Sequence, residues 1–115
     1  MKLKLKTEYE FDAAHHLEGY DGPCSRVHGH RWRVVVWVEG EKSQIDDVGI
    51  LWDFTILKKM LKELDHQDLN EILEFNPTAE NLACYIQQGL MNENPDLKFK
   101  VRVYESPRSY AEVEG

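Results

Sequence analysis

The chain has 115 residues, with 14 lysines and arginines against 21 aspartates and glutamates for a net charge of −7. Residues 1–115 read as one domain, long enough to bury roughly two-thirds of its unfolded surface without staples. The acid excess argues against general nucleic-acid or anionic-membrane binding, which both want a basic face, and leaves a small anionic substrate open where basic residues cluster locally.

The first predicted element is a strand. Leu3, Leu5, Tyr9 and Phe11 alternate with Lys2, Lys4, Glu8 and Glu10, so Ala13 and His15 fall on the apolar face and His16 points away. Met1-Lys-Leu-Lys-Leu-Lys has the charge of a secretory leader, but no apolar core follows it, and the longest apolar run, Val34 to Val38, is too short to span a bilayer. A cytoplasmic location is expected. In that compartment Cys24 and Cys84 read as separate thiols rather than a disulfide.

A loop carrying Cys24 leads to His28-Gly-His30 and the β-branched and aromatic run Arg31 to Val38. This is a second strand, ending near Gly40, with His30, Trp32, Val34, Val36 and Val38 on one face and His28 in the same parity. After a polar connection, Ile56, Leu57, Met60, Leu61 and Leu64 form one stripe of an amphipathic helix, capped by Asp53 or Thr55. A second helix opens at a Thr78 cap and buries Ala79, Leu82, Ala83, Ile86 and Leu90, with Cys84 beside the stripe as a small core residue. Phe99, Val101 and Val103 then alternate with Lys100, Arg102 and Tyr104 in a third strand, and Tyr110 to Val113 supplies a fourth. The expected class is therefore α+β, a four-stranded antiparallel sheet with two helices on one face, in the order ββααββ. Its two edges need cover, which identical subunits can provide by pairing edges in a ring, so a homo-oligomer is expected.

His15, His28 and His30 share a largely apolar face at the ends of the first two strands. Three neutral imidazoles on a dry surface suit Zn²⁺ and leave a fourth position for water or substrate, as catalysis requires. Two other readings stand beside this one. A histidine on an apolar face is also an ordinary hydrogen-bonded core residue, and Cys24 as a fourth ligand would make a closed structural site. Asp65-His66, likewise, also reads as the polar end of a helix.

Phe11-x-Ala-Ala-His15, Cys24-x-x-x-His28-Gly-His30, Asp53-Phe54, Leu64-Asp65-His66 with Leu69-Asn70, Pro77-Thr-x-Glu80-Asn81 and Tyr104-Glu105 follow one another in that order. In this the chain resembles the 6-pyruvoyltetrahydropterin synthase superfamily, and within it the bacterial and archaeal 6-carboxytetrahydropterin synthases of queuosine precursor synthesis. The resemblance implies the tunnelling fold, assembled into barrels, commonly homohexamers, with active sites at subunit interfaces. It implies zinc on His15, His28 and His30, a pterin triphosphate as the small-molecule substrate, and a lyase reaction. By the same matching, Cys24 is the proton-abstracting thiolate, Asp65 and His66 tune proton transfer, and Glu105 anchors the pterin ring, with Thr78 as a further pterin contact. Two positions depart from the pattern. Ser106 stands where a threonine is common, and Ala79 replaces the second of two threonines found in animal relatives, which weakens transfer of the animal activity, synthesis of 6-pyruvoyltetrahydropterin.

Overall fold

The computed structural model describes all 115 residues, Met1–Gly115. Strand β1 (Lys2–His15) and strand β2 (His28–Glu41) form a long antiparallel ribbon. Helix α1 (Thr55–Lys62) follows, then the two-residue strand β3 (Gln67–Asp68), the single-turn helix α2 (Leu69–Ile72) and the long helix α3 (Ala79–Glu93). Strands β4 (Lys98–Ser106) and β5 (Ser109–Val113) complete the chain. The sheet runs β3-β1-β2-β4-β5.

The α+β class is therefore as expected, but the four-strand, two-helix order ββααββ is corrected to five strands and three helices, ββαβααββ. The additions are short for a physical reason. Gln67 and Asp68 pair parallel with Ala13 and Ala14 alone, and α2 makes one turn, so neither is long enough to develop a hydrophobic period.

Alternation along the strands decides which side is the core. Phe11, Ala13 and His15, then Trp32, Val34, Val36 and Val38, then Phe99, Val101 and Val103 are all buried on the face that α1 and α3 cover. Ala79, Leu82, Ala83, Ile86 and Leu90 of α3 supply the facing layer, and Thr78 caps that helix by accepting the Asn81 backbone N–H at 3.1 Å. The N-cap position of α1 is Phe54, not Asp53 or Thr55 as expected, although one residue earlier Asp53 Oδ1 accepts the Thr55 backbone N–H at 2.9 Å. Cys84 is exposed, not a core residue as expected, because one helical step beyond Ala83 turns it off the buried stripe.

The opposite face is open and charged. Cross-strand pairs Arg33–Glu8, Arg31–Asp12 and Arg102–Glu112 span it, and Trp37 lies there under Lys100 and Arg102. β3 covers β1 only at Ala13 and Ala14, so most of that edge and the outer edge of β5 keep unpaired backbone groups. No helix is long and apolar enough to cross a membrane.

Candidate active site

The β1–β2 register assembles the histidine cluster. His15 lies directly across from His28, and His30 lies across from Ala13, whose methyl leaves room for the imidazole to lean toward His15. The ring centroids of the three are 4.6, 5.0 and 4.7 Å apart. Trp32 walls the cluster from the core at 4.8 Å from His15, and its indole N–H donates to the Ala13 carbonyl at 3.2 Å.

Backbone carbonyls set the tautomers. His15 Nδ1 is 2.7 Å from the Pro77 carbonyl and His28 Nδ1 is 2.6 Å from the Arg26 carbonyl. A carbonyl only accepts, so each Nδ1 carries the proton and each Nε2 presents a lone pair. The Nε2 of His15 is buried without a hydrogen-bond partner, and the buried Nε2 of His30 faces a Glu105 carboxylate oxygen at 3.1 Å. Buried nitrogens are normally satisfied, and a lone pair left bare beside two others is the donor set a metal ion requires. Burial also pushes His15 and His30 below the ordinary imidazole value of 6.5, which the Pro77 bond to His15 and the Glu105 charge beside His30 only partly offset. Neutral rings are the ligating form.

The ligand atoms of His15, His28, His30 and Glu105 all lie within 4.8 Å of one another. Cys24 stands outside that group, half-buried in a 3₁₀ turn at Pro23–Ser25. The residues present thus fit a metal held by three imidazoles, and the closed His₃Cys arrangement is not the one the side chains adopt.

Asp65 and His66 form a second centre. Asp65 Oδ1 accepts the Asp12 backbone N–H at 2.9 Å, and Oδ2 is 2.8 Å from His66 Nδ1. The Asp12 bond first, then His66, holds the Asp65 carboxyl below its ordinary value of 3.8. His66 has a positive φ of 58° and a side chain that is 78% exposed. Its backbone N–H donates to the Asp12 carbonyl at 2.6 Å, which holds the residue in that left-handed conformation. His30 and His66 line one open cleft together with Asp12, Gly29 and Arg31. Thr78 adjoins Pro77, whose carbonyl holds His15, but its hydroxyl oxygen is already used as the α3 cap.

Two asparagines that the motif reading left without a role hold the loop between His15 and Cys24. The Asn70 amide accepts the His16 N–H at 2.8 Å and donates to the His16 carbonyl at 3.0 Å. Asn76 does the same for Glu18, at 3.0 and 3.2 Å. On the other side the Leu17 N–H donates to the Cys24 carbonyl at 2.8 Å. Beyond the end of β1 the backbone of residues 16–18 is thus held by two side-chain amides on one side and by Cys24 on the other, which ties Cys24 to His15. Alternate residues presenting their backbone groups to two asparagines is a signal visible only once the chain is folded. His16 is half-buried by the same contact, and its Nε2 lies 3.6 Å from Glu18.

The family model described as 6-pyruvoyl tetrahydropterin synthase matches residues 4–115. A 6-carboxy-5,6,7,8-tetrahydropterin synthase of Synechocystis sp. is 38% identical over 87 residues, covering 69% of this chain and 67% of that protein. A dihydroneopterin monophosphate aldolase of Pyrococcus furiosus is 38% identical over 105 residues, covering 87% and 86%. Among solved structures, Caenorhabditis elegans 6-pyruvoyl tetrahydropterin synthase superposes with a TM-score of 0.78 at 28% identity, over 100% of this chain and 96% of that one. With the histidine cluster in place on that fold, the chain belongs to the 6-pyruvoyl tetrahydropterin synthase family.

Proposed function

We propose that the protein is a zinc-dependent lyase converting 7,8-dihydroneopterin triphosphate and one water to 6-carboxytetrahydropterin, acetaldehyde and triphosphate, in queuosine precursor synthesis. The observation that carries the proposal is the convergence of His15, His28 and His30 with two Nδ1 protons held by carbonyls and the buried Nε2 of His15 bare. Zinc bound there would supply Lewis acidity to the substrate's side-chain oxygens, which acidifies the neighbouring C–H bonds.

The chain's own residues do the rest. Cys24, tied to His15 through residues 16–18, takes a proton from the side-chain carbon as a thiolate. Asp65 fixes Nδ1 of His66, leaving Nε2 to pass protons at the mouth of the cleft shared with His30. Glu105 accepts two parallel hydrogen bonds from the amino-pyrimidine edge of the pterin. Thr78 retains its O–H as a donor toward the ring. An exposed His66 and two open sheet edges support assembly of identical subunits, a homohexamer by family resemblance, with active sites at the interfaces. No nucleic-acid or membrane partner is proposed, and the location is cytoplasmic.

The alternative within the same scaffold is formation of 6-pyruvoyltetrahydropterin, in which triphosphate leaves and the carbon chain survives. The likeness to the Pyrococcus furiosus aldolase adds side-chain cleavage of a monophosphate as a further outcome. One experiment separates them. Zinc-loaded protein is incubated with 7,8-dihydroneopterin triphosphate, and in parallel with the monophosphate, while aldehyde and pterin products are followed by mass spectrometry. Acetaldehyde with a 6-carboxy pterin is expected. A pterin retaining all three side-chain carbons would move the assignment to the pyruvoyl reaction, cleavage restricted to the monophosphate would move it to the aldolase, and no turnover by metal-replete protein would leave a non-enzymatic zinc-stabilised oligomer.

A further inference from the structure

Glu105 stands between two surroundings. Parity along β4 puts it on the core side with Phe99, Val101 and Val103, and a register shift between Tyr104 and Ser106 re-aims the chain at that residue. Its Oε1 is 3.1 Å from His30 Nε2 and 3.8 Å from His15 Nε2. Neighbouring ligands around tetrahedral zinc, with bonds of about 2.0–2.1 Å, stand roughly 3.3–3.4 Å apart. One carboxylate oxygen thus stands near the spacing of a fourth corner from two of the three imidazoles, and within 4.8 Å of the third. The same side chain is 31% exposed and borders a depression lined by Ala79, Glu80, Ser109, Tyr110, Ala111 and Glu112 and containing no histidine. A glutamate has the reach and the rotamers to face either way.

Building on the zinc and pterin assignments above, we propose that Glu105 has two positions: a metal ligand in the substrate-free protein, and a pterin anchor once the ring arrives. One carboxylate cannot hold both partners through the same oxygens. Recognition of the amino-pyrimidine edge is therefore coupled to vacating the fourth corner, and a molecule without that edge leaves the metal closed. The coupling is the difference in affinity of the carboxylate for its two partners. It makes ring recognition a condition of access to the metal, which is specificity obtained through conformational change.

The test uses cobalt(II) in place of zinc and reads its visible absorption spectrum, with no turnover involved. Pterin carrying no side chain at C6 is expected to change the spectrum of the wild-type protein, because Glu105 leaves while no side-chain oxygen replaces it. Glu105→Ala is expected to weaken cobalt binding about 10- to 100-fold in chelator competition and to lose the pterin-induced change. Glu105→Gln, which keeps the shape of the side chain, guards against misfolding and should show an intermediate affinity. Unaltered cobalt affinity in both variants, or a wild-type spectrum indifferent to saturating pterin, would overturn the two-position assignment while leaving the lyase reading intact. Failure of wild-type protein to bind cobalt or zinc at all would instead remove the metal-dependent reading on which it rests.

Discussion

The molecule holds two histidine centres, one at the paired ends of β1 and β2 and one in the turn just before β3, and they are built in opposite ways. His15 is fully buried, its tautomer is set by the Pro77 carbonyl, and its backbone is ordinary extended strand. His66 is mostly exposed, its partner is the Asp65 carboxylate, and its backbone is left-handed. The first arrangement freezes a lone pair in a dry place, which suits a ligand that must not move. The second leaves a ring at the surface with one nitrogen oriented and the other accessible, which suits a proton carrier that must meet substrate or a neighbouring subunit. Burial lowers the affinity of a ring for protons and removes its freedom, whereas a carboxylate at the surface orients a ring without enclosing it.

The sharpest way to break this contrast is to remove the frozen centre. His28→Ala should lose metal and lower kcat/KM by about 10³-fold or more, equivalent to roughly 4 kcal/mol of transition-state stabilisation. Metal content by mass spectrometry, read beside turnover, checks it, and full metal retention would show that the cluster is not the site. Cys24→Ala should keep the metal and lower kcat by about 10²–10⁴-fold, the range of a positioned general base. Wild-type turnover in that variant would end the thiol-base assignment.

His66→Gly probes the other centre through stability and function together. A left-handed backbone costs a non-glycine residue about 1 kcal/mol, so the variant should melt a few degrees higher while kcat falls about 10²-fold. A lower melting temperature would mean that the Asp65–His66 contact outweighs the backbone strain.

The smallest effect is a pair of pH windows in the metal-free protein. His15 and His30 are depressed in the folded state, so on acidification the unfolded chain takes up protons first and stability falls as pH drops through about 6.5 toward the lowered values. Asp65 is also depressed, and its contribution, present above its unfolded value of 3.8, is lost only as pH falls below that toward its lowered folded value. Melting temperature against pH should therefore show two separate declines, and His30→Gln should reduce the upper one alone.

Much of the architecture was legible because strand alternation has a period of two and leaves little ambiguity. The predicted faces of β1, β2 and β4 and the buried stripe of α3 all match residue for residue, and parity alone aligned His15, His28 and His30. The same parity, extended one step past Val103, puts Glu105 on the core side as well. Its meeting with His30 was not legible, since that depends on where β4 ends against β2 and on the register shift beyond Tyr104. β3, α2 and the amide contacts of Asn70 and Asn76 were missed because two residues, one turn and isolated asparagines have no period to read.

The sequence by itself determined the class, the core faces, the three histidines and the family resemblance, because each is a local pattern of residue types at fixed spacing. Tertiary structure decided what those residues do to one another. It set which ring nitrogens are bare, placed a carboxylate rather than the thiol beside them, and bound the loop carrying Cys24 to two distant asparagines. Those outcomes arise from strand register and from hydrogen bonds spanning more than fifty residues, and chain closure over such distances is settled only when the core packs.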